Sequence, residues 1–593
     1  MPSVSLWFKT KLARVEWLFI VALILFAAAL RFTGLAYGQP DPRYDHSGID
    51  RGLINFNTPI HPDEHLFITK PLQMLLTRQY NPKFFHNPSF LINANLVTFW
   101  LTDAGNGLTH EDRRGVNGRS YAPFHLYIIG RTYSALGGIL AVAAAYAATR
   151  RIGGRYASLI AGLLTTVSLP MVQHAHYTTT SSLAAGFTAV AVWASIASLH
   201  SKRRWMFWLA GLAAGLAAGN RYNAALVAVV AFLAGLILLY RDSSWRSRRT
   251  VLIGWLLAPA TFVFTTPWVI FDTDFFLEEL RYILGQYLSG EDVQFTTPYG
   301  LWFEYHYLIT FGLGVPAALA VLMGIYAAWR ERPRGGYFLR HNSLLLFVLV
   351  LLIYLVVYSL VNLRTVRPAL SDQMLVPVIP QLALIAGLGA AWLYERLPLS
   401  KRVLAPGLAI LLVIIPLVPS LQLIYQFAQP DTREIMQRWV YDHLPRGSHI
   451  HLLGPYNVPL DRADYTWSQS FARELPSVAQ LRGQEPFNRP LLMMGEGGDF
   501  VPVEEIQPGE IDYIILSDAW YFSIERSGEY VPPEYIQRIH DYMASLDESL
   551  TEIAHIERPA WTGYDWVMQS ASYWHNPGLA AYCVHEESCT AVR

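Results

Sequence analysis

The chain has 593 residues, of which 53% are hydrophobic, 13% aromatic and only 15% charged, where a soluble domain carries about 25% charged residues. Forty-five basic residues balance forty-five acidic ones, so no net field directs the chain to nucleic acid. The two cysteines, Cys583 and Cys589, exclude a disulfide scaffold and a zinc ribbon. One soluble core would not grow to this size, and the composition reads as a polytopic α-helical membrane protein with a polar domain attached.

Apolar runs of the roughly 20 residues needed to cross a bilayer recur about eleven times. They cover 16–37, 122–149, 156–172, 178–199, 205–218, 223–240, 251–271, 306–329, 344–361, 374–393 and 403–428. The first is too long for a signal-peptide core, and no small-residue cleavage site follows it. Along the short fifth run Gly211, Gly215 and Gly219 predict close helix packing. Lys9, Lys11 and Arg14 precede the first run; Arg150, Arg151 and Arg155 follow the second; Lys202, Arg203 and Arg204 follow the fourth. The loops after the sixth, eighth and tenth runs are basic too. Basic residues concentrate on the cytoplasmic side, which predicts a multi-pass protein of the cell membrane with its N-terminus in the cytoplasm. An odd number of crossings then puts the tail outside. The expected division is a membrane domain over 1–429, with a large first external loop at 38–121, and an extracytoplasmic α/β domain over 430–593.

In the tail, 449–453, 513–516 and 553–556 read as strands, and 431–443 and 533–546 as helices. Asp431 or Thr432 stands at the N-cap of the first helix. Cys583 and Cys589 lie on the oxidising side, where a local disulfide forms readily; two free thiols is the other reading. No nucleotide-binding glycine loop is present, which argues against a soluble nucleotide as energy source.

Directly after the first run the chain reads Thr58-Pro59-Ile60-His61-Pro62-Asp63-Glu64-His65, and a helix is expected from about Pro62. A proline and two acids suit a helix N-terminus on structural grounds alone. A carboxylate at a membrane–water boundary also suits a general base. The string Asn81-Pro82-Lys83-Phe84-Phe85-His86-Asn87-Pro88-Ser89 follows. Arg131 sits in the second run, His174-Ala175-His176-Tyr177-Thr178-Thr179 follows the third, and Asn220-Arg221-Tyr222-Asn223 joins the fifth and sixth. Thr266-Pro267-Trp268 ends the seventh, and Arg367, Pro377 and Pro380 mark the tenth. In this order the pieces resemble the GT-C superfamily of membrane glycosyltransferases, of the protein O-mannosyltransferase and aminoarabinose-transferase type (glycosyltransferase family 39). The resemblance covers most of residues 10–430 and is only general beyond.

The resemblance implies transfer of a hexosyl or pentosyl group from a polyprenyl-phosphate donor to an acceptor hydroxyl of protein, lipid or glycan on the outer face, with inversion at the anomeric carbon. It implies Asp63 as the base, with Glu64 binding acceptor or orienting a neighbour. Arg221, Arg131 and Arg367 are candidates for the donor phosphate, since arginine pairs well with phosphate oxygens. A snorkelling role for Arg221 and a buried ion pair for Arg131 are the alternatives. His61, His65, His174 and His176, with Tyr222 and Asn223, are candidates for substrate contact. Relatives often carry an acid near the position of Ser181, which weakens the case for a divalent metal held between two acidic loops. The four histidines could instead offer nitrogen ligands to zinc or another transition metal, but histidines in short external loops more often donate to substrate hydroxyls, and no cofactor is expected to be required. Asp272 and Asp274 are read as caps of a surface helix over 275–284, with acceptor binding as the alternative, and Tyr287, Tyr299, Trp302, Tyr305 and Tyr307 as an interfacial belt, with a sugar-stacking platform as the other reading. The competing classes are a non-catalytic lipid-linked sugar flippase or transporter, which would more often show paired repeats, and a polysaccharide polymerase or ligase. Neither accounts for the early acidic loop.

Overall fold

The computed structural model describes residues 3–39, 53–54, 63–103, 122–200, 203, 205–288, 305–306, 308–331, 343–362, 372–398, 400, 405–454, 457–458, 460, 464–470, 476–482, 484–486, 492–494, 500–502, 510–518, 533–557 and 578–592. They form two compact units that interleave along the chain. The first comprises Met1–Thr33, Asn81–Ala94 and Arg131–Gln422, the second Gly34–Tyr80, Asn95–Gly130 and Leu423–Arg593. His61 and Arg367 lie outside the described residues.

The first unit is helical, and six helices among the described residues are long and apolar enough to cross a membrane. This is a polytopic helical membrane protein. The second and third apolar runs appear as the long helix Phe124–Val167, broken at Gly154, whose φ of 78° and ψ of −167° only glycine adopts readily. Ser181–His200 follows, then Trp205–Asn220. The chain next takes a 3₁₀ turn over Tyr222–Val227 into Ala228–Arg241 and returns along Trp245–Thr265. A Cβ on Gly211 would collide with the Gly254 carbonyl, and one on Gly215 with that of Ala258. The glycine spacing thus lets Trp205–Asn220 and Trp245–Thr265 pack backbone to backbone. Ile379–Arg396 is buried along most of its length within one large apolar core shared with these helices.

In the second unit, β1 (Leu53–Ile54) and β2 (Ala122–Pro123) pair antiparallel. The helix Glu64–Thr77 has Asp63 in the N-cap position. Its Ile68 and Leu72 pack with Phe99, Phe124 and Tyr127, and the Asn95 amide donates to the Phe67 carbonyl at 2.8 Å.

The tail is an α/β domain whose described residues form a sheet of seven strands in the order β6-β5-β4-β3-β7-β9-β8. The strands are β3 His449–Leu453, β4 Thr466–Ser470, β5 Leu492–Met494, β6 Phe500–Pro502, β7 Tyr513–Ser517, β8 Thr551–Ile556 and β9 Leu579–Cys583. β3 lies parallel to both β4 and β7, and the outer pairings are antiparallel. Met436 and Val440 of the helix Thr432–His443 bury against Ile450, Leu452, Tyr513 and Ile515. Asp431 caps that helix, accepting from the Arg433 amide at 2.9 Å. Cys583 and Cys589 form a disulfide with Cα atoms 5.3 Å apart.

Candidate active site

Arg221 has an extended backbone, φ −145° and ψ 134°, between the end of Trp205–Asn220 and the 3₁₀ turn. One extended residue between two helical segments swings successive side chains apart. Arg221 is only 7% exposed. Its Nη1 donates to Ser181 Oγ at 2.7 Å and to Gln373 Oε1 at 3.2 Å, and its Nη2 to Met374 Sδ at 3.5 Å. All three partners are neutral. Among the described residues no carboxylate pairs with this buried guanidinium, an arrangement that favours an anion from outside the chain.

Tyr222 donates its hydroxyl to the Phe85 carbonyl at 2.8 Å. Asn223 donates from Nδ2 to the Tyr358 hydroxyl at 3.0 Å and to Met374 Sδ at 3.3 Å. The Tyr358 hydroxyl in turn donates to the Met374 carbonyl at 2.5 Å. Asn223 Oδ1 is buried without a partner, an acceptor open to a ligand or a water. These three consecutive residues line a cavity of about 220 Å³ with His86, Asn87 and Met374. Its other walls are Leu226, Leu280, Ile283, Leu284 and Val361. The cavity is therefore amphipathic, with one cation and a few amide and imidazole groups set among aliphatic side chains.

Residues 81–89 run as a strap onto the helix Thr273–Leu288. Asn81 Nδ2 and Lys83 Nζ both donate to Asp272 Oδ2 at 2.5 Å. These bonds, from Lys83 foremost, hold the Asp272 carboxyl below its ordinary range. Asp272 thus ties down the strap, and the helix it was expected to cap runs from Thr273 to Leu288. Phe85 packs against the rings of Phe275 and Phe276, and its amide donates to Glu279 Oε2 at 3.4 Å. Farther along, the Ser89 amide donates to Thr266 Oγ1 at 3.2 Å. His86 thereby reaches the cavity, with Nε2 3.1 Å from Glu279 Oε2 and its ring stacked on Tyr282.

Of the sequence candidates, Arg221, Tyr222 and Asn223 converge on this cavity. Arg131, His174 and His176 are buried elsewhere in the first unit. His176 has its two ring nitrogens 2.8 Å from the Val172 carbonyl and 2.9 Å from that of Thr33. Asp63, Glu64 and His65 belong to the second unit. Glu64 is 1% exposed, whereas Asp63 and His65 are half-buried. Among the described residues no three His, Cys, Asp or Glu side chains gather as a metal site. Gln373, Met374, Tyr358 and Glu279 were not anticipated. His86 and Asn87 left a trace, inside the Asn81–Ser89 string.

The fold and the cavity define a multi-pass membrane protein with an amphipathic, cation-headed pocket and an appended α/β domain. Within it, residues 128–271 match the family model described as dolichyl-phosphate-mannose-protein mannosyltransferase, and no curated protein matches the chain. Among solved structures the chain is similar to ArnT from Cupriavidus metallidurans in the apo state, at 14% identity over 97% of this chain and 99% of that one, with a TM-score of 0.45. It is similar to the archaeal oligosaccharyltransferase AglB from Archaeoglobus fulgidus in complex with an inhibitory peptide and a dolichol-phosphate, at 11% identity over 89% and 72%, TM-score 0.45. It is also similar to the protein O-mannosyltransferase Pmt1–Pmt2 complex of S. cerevisiae bound to the sugar donor, at 18% identity over 48% and 36%, TM-score 0.32.

Proposed function

We propose that the chain is an integral-membrane glycosyltransferase that moves a sugar from a polyprenyl-phosphate donor to an acceptor hydroxyl on the outer face of the membrane, with inversion. The observation that carries this reading is Arg221, a buried guanidinium with neutral partners in a cavity that also has aliphatic walls from Leu226, Leu280, Ile283, Leu284 and Val361. A lipid phosphate needs both a cation for the headgroup and apolar walls for the first isoprene units. The family match over residues 128–271, which include Arg131, His174, His176 and Arg221, supports the same chemistry.

In this reading Arg221 holds the phosphate oxygens by paired donors and stabilises the charge that grows there as the bond from the anomeric carbon breaks. Asn223 Oδ1 accepts from a donor or acceptor hydroxyl. Asp63, in the first-loop helix, takes the acceptor proton as the acceptor oxygen bonds to the anomeric carbon, a contribution of about 10²–10⁴-fold. Glu64 orients the acceptor. The phosphate leaves with the electron pair of the broken bond, and no metal enters any step.

The test is purified protein in proteoliposomes with a radiolabelled polyprenyl-phosphate sugar and an extract of cell-envelope acceptors. A new glycosidic product is expected, absent with Asp63→Asn at unchanged expression and carrier binding. Movement of label across the bilayer with no new product would identify a flippase instead. Near-normal turnover of Asp63→Asn would remove it as the base.

A further inference from the structure

His86 enters the cavity with its orientation fixed on two sides. Its Nε2 faces Glu279 Oε2 at 3.1 Å, and its ring lies between Tyr282, stacked at 5.2 Å, and Phe84, tilted at 5.2 Å. A carboxylate at Nε2 settles the tautomer, because that nitrogen must carry hydrogen to bond it. The neutral ring then presents a lone pair at Nδ1, which repels an anionic oxygen. The charged ring presents an N–H there, which binds one. Arg221 and His86 line the same cavity, so an anion on the guanidinium lies within the field of the imidazole. Among the described residues, the titratable and charged groups around the ring are Glu279 and Tyr282 on one side and Arg221 and Tyr222 on the cavity side.

We propose that His86, positioned by Glu279, is a second phosphate contact of this cavity that binds the carrier headgroup as the imidazolium and not as the neutral ring, so that the grip on the headgroup tightens when the ring carries its second proton. This rests on the reading of the cavity as a lipid-phosphate site and names the device that regulates it. Glu279 acts through His86 and is a positioning residue. Arg221 supplies the attraction that is always present, and His86 adds to it only as the imidazolium.

The probe is farnesyl methyl phosphodiester, which keeps one negative charge at every pH used, so its own titration adds nothing. Its affinity for the full-length protein in detergent is measured at about pH 5.5, 6.5, 7.5 and 8.5. Wild type should bind about five- to tenfold more tightly at the lowest pH than at the highest. His86→Gln should flatten the profile near the wild-type high-pH affinity. His86→Lys, a permanent cation, should be flat and tight, which shows that the loss in His86→Gln is one of charge and not of folding. Glu279→Ala should shrink the difference between the extremes, because the ring is no longer held. Arg221→Gln should weaken binding at least about tenfold at every pH. A flat wild-type profile, or one that persists in His86→Gln, overturns the role of His86 while the loss in Arg221→Gln leaves the phosphate site standing. No effect of Arg221→Gln at any pH overturns the phosphate site itself.

Discussion

Ser181 supplies one of the neutral partners of Arg221, at 2.7 Å, and its identity sets how available the guanidinium is. A carboxylate there would form a buried charge-assisted pair and satisfy the cation internally. Ser181→Asp should therefore weaken binding of the prenyl phosphodiester by about tenfold or more, with the midpoint of thermal unfolding unchanged or raised. A drop in both would mean that the aspartate is simply not tolerated, and Ser181→Asn, isosteric and neutral, should then keep the affinity. Arg221 was legible in the sequence as a cation at a membrane boundary, and Tyr222 and Asn223 through the family resemblance carried by Asn220-Arg221-Tyr222-Asn223. Gln373, Tyr358 and Glu279 were not, because each meets the site across more than fifty residues of chain and carries no local pattern. Nothing in the local sequence pattern links Ser181 to Arg221; only the structure ties that serine to the guanidinium.

At the scale of elements, the strap over 81–89 is held by Asn81, Lys83, Phe85 and Ser89, and it carries His86 into the cavity. Breaking one exposed anchor should loosen it without unfolding the unit. Asp272→Asn should lower phosphodiester affinity by about two- to fivefold, read in the same binding assay. Because the Asp272 carboxyl is depressed below its ordinary value near 3.8, its contribution is complete above that pH and is lost as the pH falls below it.

The sheet holds a second titratable group. His451 is fully buried, with Nδ1 2.7 Å from Ser468 Oγ and Nε2 2.9 Å from Ser470 Oγ. Burial pushes it from its ordinary 6.5 down to about 3, so it is neutral in the native state. The unfolded chain takes up a proton that the folded domain refuses. Stability is full above about 6.5 and declines toward pH 3, with a slope of at most about 1.4 kcal/mol per pH unit. Thermal unfolding at pH 4.5 and 7 should show this, and His451→Asn should reduce the difference. The same cluster explains why β4 was not read as a strand. Thr466–Ser470 is polar in sequence, and its serines are buried only because a histidine on the neighbouring strand satisfies them. β3, β7 and β8 were legible by their apolar and β-branched content, whereas β5 and β6 are too short for any periodicity. The break at Gly154 was foreseen as a basic loop between two runs, and the non-helical backbone there separates two helices as expected.

For the molecule as a whole, the second unit takes in Gly34–Tyr80 at the exit of the first apolar run and Leu423–Arg593 at the exit of the last. One buried cluster joins these two stretches. The Tyr37 hydroxyl donates to Asp431 Oδ2, and Arg433 makes a two-pronged pair with the same carboxylate, 2.7 Å from Nε to Oδ1 and 2.7 Å from Nη2 to Oδ2. Tyr37 also packs edge-on against Phe427 at 5.0 Å. Gly34 lies so close to Phe427 that a Cβ would meet its backbone at 2.8 Å, and its φ of 79° already favours glycine. Both charges are almost wholly buried, 2% and 3% exposed at the side chain. Removing one partner of such a pair leaves a buried charge uncompensated, at a cost of about 3–5 kcal/mol. Replacing both with apolar groups of similar volume removes that penalty. Asp431→Asn should thus lower the unfolding midpoint of the second unit strongly, whereas the double variant Asp431→Leu/Arg433→Met should recover much of the loss. If instead the double variant were as unstable as the single one, the contribution would lie in the hydrogen bonds that Asp431 accepts from Tyr37 and from the Arg433 amide and not in charge compensation. Tyr37→Phe, which removes the tyrosine hydroxyl and leaves the ion pair intact, would then reproduce the share of the effect that belongs to Tyr37.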